Sequence, residues 1–325
     1  MSHLFCGMAT LNAQPVFSEI VGNGRGLAHC DILKLLVVSL ENDTLRVFSS
    51  PSLDGGHKGL QHQFTLGGSA PMQFKFEDCC GSGYLVFTGV AGARRLLVTD
   101  AGHDAVHVID VVHQTHVGFV AAPGTIAGPR GVAARGAMAA ISAWKRCECS
   151  IQIFEGSDAS WTPVRTICGD SGAAQLVRPM GLRLTSCDRG TAALVVADTW
   201  NDCVSMFCVR TGRFVRVIEE VDDPEDVEEW EDGWLVACGD DLRTMEFVND
   251  HGVRMQMFGQ VSRLASLAVV RGVGIALRDV GRRVMVFATH DAISMAAMRV
   301  ERVAWVMAVS RGIFFCNSQF TFHVI

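Results

Sequence analysis

The sequence predicts an all-β fold: a single β-propeller over residues 1–325, with seven four-stranded blades closed by an N-terminal strand, six blades being the alternative. Three observations carry this. A hairpin unit of about fourteen residues recurs along the chain, it returns with a spacing of 38 to 41 residues over the last four copies, and apolar strand patterns flank it. The spacing is that of one four-stranded blade.

The clearest hairpin is LVVADTWNDCVSMF at 194–207, and LLVTDAGHDAVHVI at 96–109 is a second copy. Each is a short apolar run, an Asp, a polar turn and an alternating run, which is the pattern of a tight β-hairpin. Residues 35–48, 139–154, 234–247, 275–287 and 313–325 follow the same plan, making seven. Ahead of these hairpins lie candidate inner strands at 130–133, 180–184, 264–270 and 303–309. Behind them lie candidate outer strands at 116–120, 163–168, 213–218 and 253–258.

The seventh hairpin reaches the last residue with no outer strand to follow, while 14–21 (QPVFSEIV) is a strand pattern without a hairpin. Residues 14–21 are therefore expected to complete the last blade beside 320–325, because an open sheet edge invites unwanted pairing. One stretch exceeds the plan. From Leu35 to Leu96 there are 61 residues, with strand candidates at both 72–76 and 84–87.

The blade around Pro179-Met180-Gly181, continuing through Val195-Val196-Ala197-Asp198-Thr199-Trp200-Asn201 to Phe207, resembles the NHL-repeat family. Pro129-Arg130-Gly131 and Val98-Thr99-Asp100 keep parts of the same motif. In other blades Arg278, Cys238 and Ser142 stand near the place of the Asp. The resemblance implies a propeller, usually six-bladed, that binds protein or RNA, with a minority of enzymes in the family.

Composition narrows the function classes. With 49% hydrophobic residues, 33 Gly and 8 Pro, the chain can bury a large core. A net charge of −6 argues against a general nucleic-acid interface, which needs a basic face. No run of 18 apolar residues occurs, and the first residues lack the basic and apolar regions of a signal peptide. A cytoplasmic protein with no membrane segment is expected, and the 12 Cys are read as packed thiols rather than a disulfide framework.

Asp100, Asp198 and Asn201 are read as structural turn residues, because Asp at a strand end accepts backbone N–H groups of the turn that follows. His103, His107, His113 and His116 cluster along one blade rather than around the axis, so they are read as solvated or partner-facing, with no metal and no cofactor. The run EEVDDPEDVEEWED at 219–232 holds ten acidic residues in fourteen. It is expected to form the link from one outer strand to the next inner strand. Glu219, Glu220, Asp222, Asp223, Glu225, Asp226, Glu228 and Glu229 are then candidates for meeting a protein or peptide partner with a basic surface. No phosphate-binding loop, nucleophile elbow or zinc-protease motif is present. A non-catalytic scaffold is the expected function; the alternative is a metal-dependent lyase or lactonase-like hydrolase with its site in the central channel.

Overall fold

Runs such as LLVVSL and LVVAD lack polar alternation because both faces of these strands are buried, each against a neighbouring sheet. The computed structural model describes residues 10–11, 17–50, 60–76, 83–88, 95–145, 148–158, 160–168, 175–186, 192–230, 233–239, 245–249, 254–257, 264–270, 274–279, 283–288, 314–316 and 322–324. Strands β1 (Thr10–Leu11) and β2 (Phe17–Ile20) precede a first sheet of β3 (Leu27–Cys30), β4 (Leu35–Leu40), β5 (Thr44–Ser49) and β6 (His62–Gly67). The second sheet is β7 (Leu85–Phe87), β8 (Arg95–Asp100), β9 (Ala105–Asp110) and β10 (Thr115–Ala121). The third is β11 (Pro129–Arg135), β12 (Met138–Lys145), β13 (Glu148–Ser157) and β14 (Ser160–Ile167). The fourth is β15 (Pro179–Ser186), β16 (Ala192–Asp198), β17 (Cys203–Cys208) and β18 (Phe214–Glu220).

A fifth sheet of β19 (Pro224–Trp230), β20 (Gly233–Cys238), β21 (Met245–Asn249) and β22 (Arg254–Met257) gains β1 as a parallel edge strand on β22. The sixth, β23 (Leu264–Val270), β24 (Gly274–Asp279) and β25 (Arg283–Ala288), takes β2 as its outer strand, antiparallel to β25. A separate hairpin pairs β26 (Phe314–Cys316) with β27 (Phe322–Val324).

The inner strands β3, β7, β11, β15, β19 and β23 neighbour one another in that order, and β23 returns to β3. This is a β-propeller arrangement. Apolar clusters fill the gaps between successive sheets. Val37, Leu45 and Val47 meet Leu96, Val98 and Ile109 between the first and second. Ala133, Ile151 and Ile153 meet Leu194, Val196 and Phe207 between the third and fourth. Leu36 and Val38, one residue to either side of Val37, face the other way, toward Ala268, Ala276 and Val286 of the sixth sheet. That packing closes the ring, and each Val, Leu, Ile or Phe in these clusters contributes about 1.5–3 kcal/mol on full burial.

The Pro-x-Gly motif has a steric cause. Gly26, Gly131 and Gly181 each stand one residue before the first regular pair of their inner strand: Leu27 with Val38, Val132 with Ile141, Leu182 with Val196. A Cβ on Gly131 would sit 2.0 Å from the Met180 carbonyl oxygen, and one on Gly26 would sit 1.8 Å from that of Gly83. Inner strands approach so closely here that side chains are excluded. In the fifth sheet the same place holds Asp226, whose carboxylate instead accepts hydrogen bonds from Ser266 Oγ (2.8 Å) and Leu267 N (3.1 Å) of the next sheet.

Arg278, fully buried on β24, clasps the closure. Its Nε donates to Gly24 O (2.9 Å), and its Nη2 donates to Gly22 O (2.9 Å) and Ser39 O (3.1 Å). The motif would place an Asp here, but the ring needs a donor at this point.

Several expectations are corrected. Neither seven nor six four-stranded blades is found: among the described residues the four-stranded sheets number five, and a further sheet carries a fifth strand. All seven expected hairpins form, but the seventh adds to no other sheet among the described residues. The N-terminal strand does close a sheet, yet its partner is β25 and not the C-terminal hairpin. The physical reason is that β25 presents the unsatisfied edge, and Phe17–Ile20 matches it residue for residue from Val286 to Arg283. The expected inner strand at 303–309 lies outside the described residues. The surplus before Leu96 is resolved: Leu85–Phe87 is the inner strand, and Met72 makes only a single bridge to Ser69.

Candidate functional site at one end of the ring

The expected acidic link is largely a strand. After Glu220 only Val221, Asp222 and Asp223 turn the chain, and Pro224–Trp230 is the inner strand of the fifth sheet. Glu225, Asp226 and Glu228 are buried there. A carboxylate is held away from water only with partners, and each has them. Glu225 accepts from Arg25 Nη1 at 2.9 Å, with Arg178 Nη2 at 3.9 Å from its other oxygen. Glu228 pairs with Arg183 Nη2 at 2.5 Å. Glu229 accepts from Thr185 Oγ1 at 3.2 Å.

Of the remaining candidates, Glu219 lies in β18, where it pairs in register with Val204. Glu220, Asp222 and Glu229 are exposed, and Asp223 is half-buried, its N–H donating to Asp202 Oδ1 at 2.9 Å. Glu231 and Asp232 lie outside the described residues. Burial therefore withdraws Glu225, Asp226 and Glu228 from the carboxylates offered to a basic partner.

Burial pushes the Asp226 carboxyl up to about 6 despite its hydrogen bonds from Ser266 and Leu267. Burial likewise takes Glu228 up to about 7 against the pull of Arg183. The folded state thus holds the Glu228 proton to about pH 7, whereas an unfolded chain releases it near 4.5. Ionised Glu228 costs stability above pH 7, and the cost disappears as pH falls to about 4. Glu228→Gln is expected to stabilise the protein at pH 8 by on the order of 1–3 kcal/mol, since Arg183 is partly exposed and can hydrate. The gain should shrink toward zero by pH 4 in thermal melts, and an equal effect at both pH values would contradict this account.

Above β19, the same end of the ring holds an aromatic and cationic cluster. Antiparallel pairing puts the start of each inner strand beside the end of the second strand, as Pro129 faces Ala143 and Pro179 faces Asp198. This brings Arg130 and Arg178 to Trp144, at the end of β12, and Trp200, in the 3-10 turn Thr199–Asn201. The guanidinium of Arg130 lies 5.4 Å from the Trp144 ring centroid. That of Arg178 lies 5.5 Å from Trp144 and 5.4 Å from Trp200, within cation–π range. The two indoles meet edge to face at 5.2 Å. Both arginines are buried, while Trp200 is 54% exposed.

Tyr84 crosses the ring at this level. Where other inner strands have Gly, it extends its hydroxyl to Glu225 O (3.1 Å) and Ala265 O (3.4 Å) on the far side. Burial first, then the nearby Glu225, raises its phenol well above the ordinary tyrosine range, so it acts as a donor. Arg25, Tyr84, Arg130, Trp144, Arg178 and Trp200 were not singled out from the sequence as site residues. The available signal was their place: Arg25, Arg130 and Glu225 all occupy the middle position of a (Gly or Pro)-x-(Gly or Asp) triplet.

Asp100 accepts the His103 N–H at 3.1 Å, the turn bond expected of it. Asp198 accepts from Val177 N (2.8 Å) and Asn201 Nδ2 (2.8 Å), so its backbone donor precedes the hairpin instead of following in the turn. Asn201 Nδ2 also reaches Gln175 O at 2.6 Å. Burial raises Asp198 to about 6 against these bonds.

His103 and His113 are exposed, as expected, and His116 is half-buried, but His107 is not solvated. His107 is buried between Asp100 Oδ2 (Nε2, 3.1 Å) and His116 (Nδ1 to Nε2, 3.2 Å). Burial would raise Asp100, but hydrogen bonds from His107 and His103 bring it below the usual range. His116 is lowered by burial and then by His107. Among the described residues no group of three or more His, Cys, Asp or Glu is arranged to hold a metal, and no helix is long and apolar enough to cross a membrane. Comparison with protein-family models and with curated proteins finds no match to this chain.

Proposed function

We propose that the chain is a non-catalytic recognition scaffold, similar to NHL-repeat propellers, that binds a protein or peptide partner on the face where its inner strands begin. The observation that carries this reading is Trp200: a large aromatic left more than half exposed, yet held by Trp144 and Arg178. Exposed aromatic anchors on a rigid base are the side chains that dominate recognition surfaces, since their contact area is large and little entropy is lost on binding. The ring beneath supplies the rigidity, through the Arg25–Glu225 pair and the Tyr84 span. Nucleic acid is disfavoured by the net charge of −6. A cytoplasmic setting accords with six free cysteines among the described residues.

Panning a displayed library of random twelve-residue peptides against the full chain and against Trp200→Ala tests this. The wild-type protein is expected to enrich a set of peptides that the variant does not retain, the two proteins having the same melting temperature. Equal recovery on both would remove Trp200 and this face from the account.

A further inference from the structure

We infer that this face selects an acidic peptide, whose carboxylate is taken up between Arg130 and Arg178 while an apolar neighbour of that carboxylate packs on the exposed face of Trp200. The inference rests on the reading that this end of the ring is the recognition face, and it reverses the sign of the partner expected from the acidic run.

The chemistry points to an anion in four steps. Arg178 is more than nine-tenths buried, and its Nε has no hydrogen-bond partner. The carboxylate nearest to it, Glu225, is committed elsewhere: its Oε2 accepts from Arg25 at 2.9 Å, leaving Arg178 at 3.9 Å from Oε1. Other buried carboxylates at this end serve the fold, Asp198 holding Val177 N and Asn201, and Asp226 holding Ser266 and Leu267. Finally, Arg130 and Arg178 both lie over the same indole, Trp144, which gathers two like charges in one place.

A planar guanidinium oriented by an aromatic ring offers a fork matched to a carboxylate, and two of them favour an anion over a neutral amide. Trp200 borders this pair on the solvent side and gives the carboxylate's neighbour an apolar surface. A peptide fits better than a nucleic acid because the cluster offers one exposed indole and a buried pair of cations. It lacks a row of surface cations to track a phosphate backbone.

The test uses the peptides recovered by panning, resynthesised with a fluorophore and titrated into the full chain by anisotropy. The recovered set is expected to be enriched in Asp or Glu beside an apolar residue. Affinity should fall at least tenfold when that acid is replaced by its amide, and should weaken as NaCl rises from 50 to 500 mM. Arg178→Lys, which keeps the charge but loses the fork, should weaken binding with little change in melting temperature. Because the amide and salt comparisons use the unaltered protein, they hold even where an arginine variant fails to fold.

Peptides that depend on Trp200 but are neutral or basic, and that bind equally at both salt concentrations, would overturn the acidic preference while leaving the recognition face in place. No dependence on Trp200 would instead overturn the recognition face itself. Tighter binding of a labelled twelve-residue oligouridylate than of any recovered peptide would replace the peptide with RNA.

Discussion

Arg278→Met is expected to destabilise the fold by about 3–5 kcal/mol, read as a shift in the urea midpoint with the slope unchanged, because it leaves buried acceptors without their donor. One guanidinium serves Gly22 O, Gly24 O and Ser39 O, all on the first sheet or its lead-in, from a strand of the sixth sheet. Methionine fills much of the volume, so the loss reports the hydrogen bonds and not a cavity. The same residue joins the two ends of the ring. Its removal should therefore also expose the Leu36, Val38 and Val286 packing to local opening. A loss below 1 kcal/mol would show that the closure depends on apolar contact alone.

Glu225→Gln is expected to cost a similar amount, about 3–5 kcal/mol, since removing one partner of a buried ion pair strands the other. Glu225 is fully buried, and the Arg25 and Arg178 side chains are each more than nine-tenths buried. Glutamine keeps the shape and an acceptor oxygen but removes the charge that two guanidiniums face. The pairing gives this prediction a second handle. In a double-mutant cycle with Arg25→Met, the combined loss should be smaller than the sum of the two single losses. Strict additivity would mean that the pair at 2.9 Å is held by its surroundings and contributes nothing itself.

The contrast between Glu225 and Glu228 follows from their partners. Glu225 neutralises the buried Arg25, so its charge is needed. Glu228 faces Arg183, which reaches solvent, and burial outweighs that arginine in holding its proton. Neighbouring acids on one strand thus respond in opposite directions to the same Glu-to-Gln change at pH 8.

The hairpins were legible because a strand buried on both faces must be apolar throughout and must end in turn residues. LVVADTW and LLVTDAG state that outright, and both fold as read. Which edge a strand joins was not legible. Residues 17–20, Phe-Ser-Glu-Ile, alternate in a way that suits any sheet edge, and only the free edge of β25 decides that they pair there. The acidic run misled because charge density was taken as a sign of solvent. Its inner-strand character was nonetheless present in Pro224-Glu225-Asp226-Val227, which repeats the order of Pro179-Met180-Gly181-Leu182 with Asp in place of Gly. The clustering of Arg130, Arg178, Trp144 and Trp200 depends on how two sheets meet, and no local pattern encodes it.

Amide hydrogen exchange along β19 decides whether the acidic run is an inner strand, with Glu225 neutralising the buried Arg25 and a cationic and aromatic face left beside it. Paired to β20 along one edge and packed between β15 and β23, those amides of residues 226–229 that bond to β20 should exchange orders of magnitude more slowly than in an unstructured peptide. Exchange at the rate of an unstructured peptide across 219–230 would contradict the account and make the run a hydrated loop.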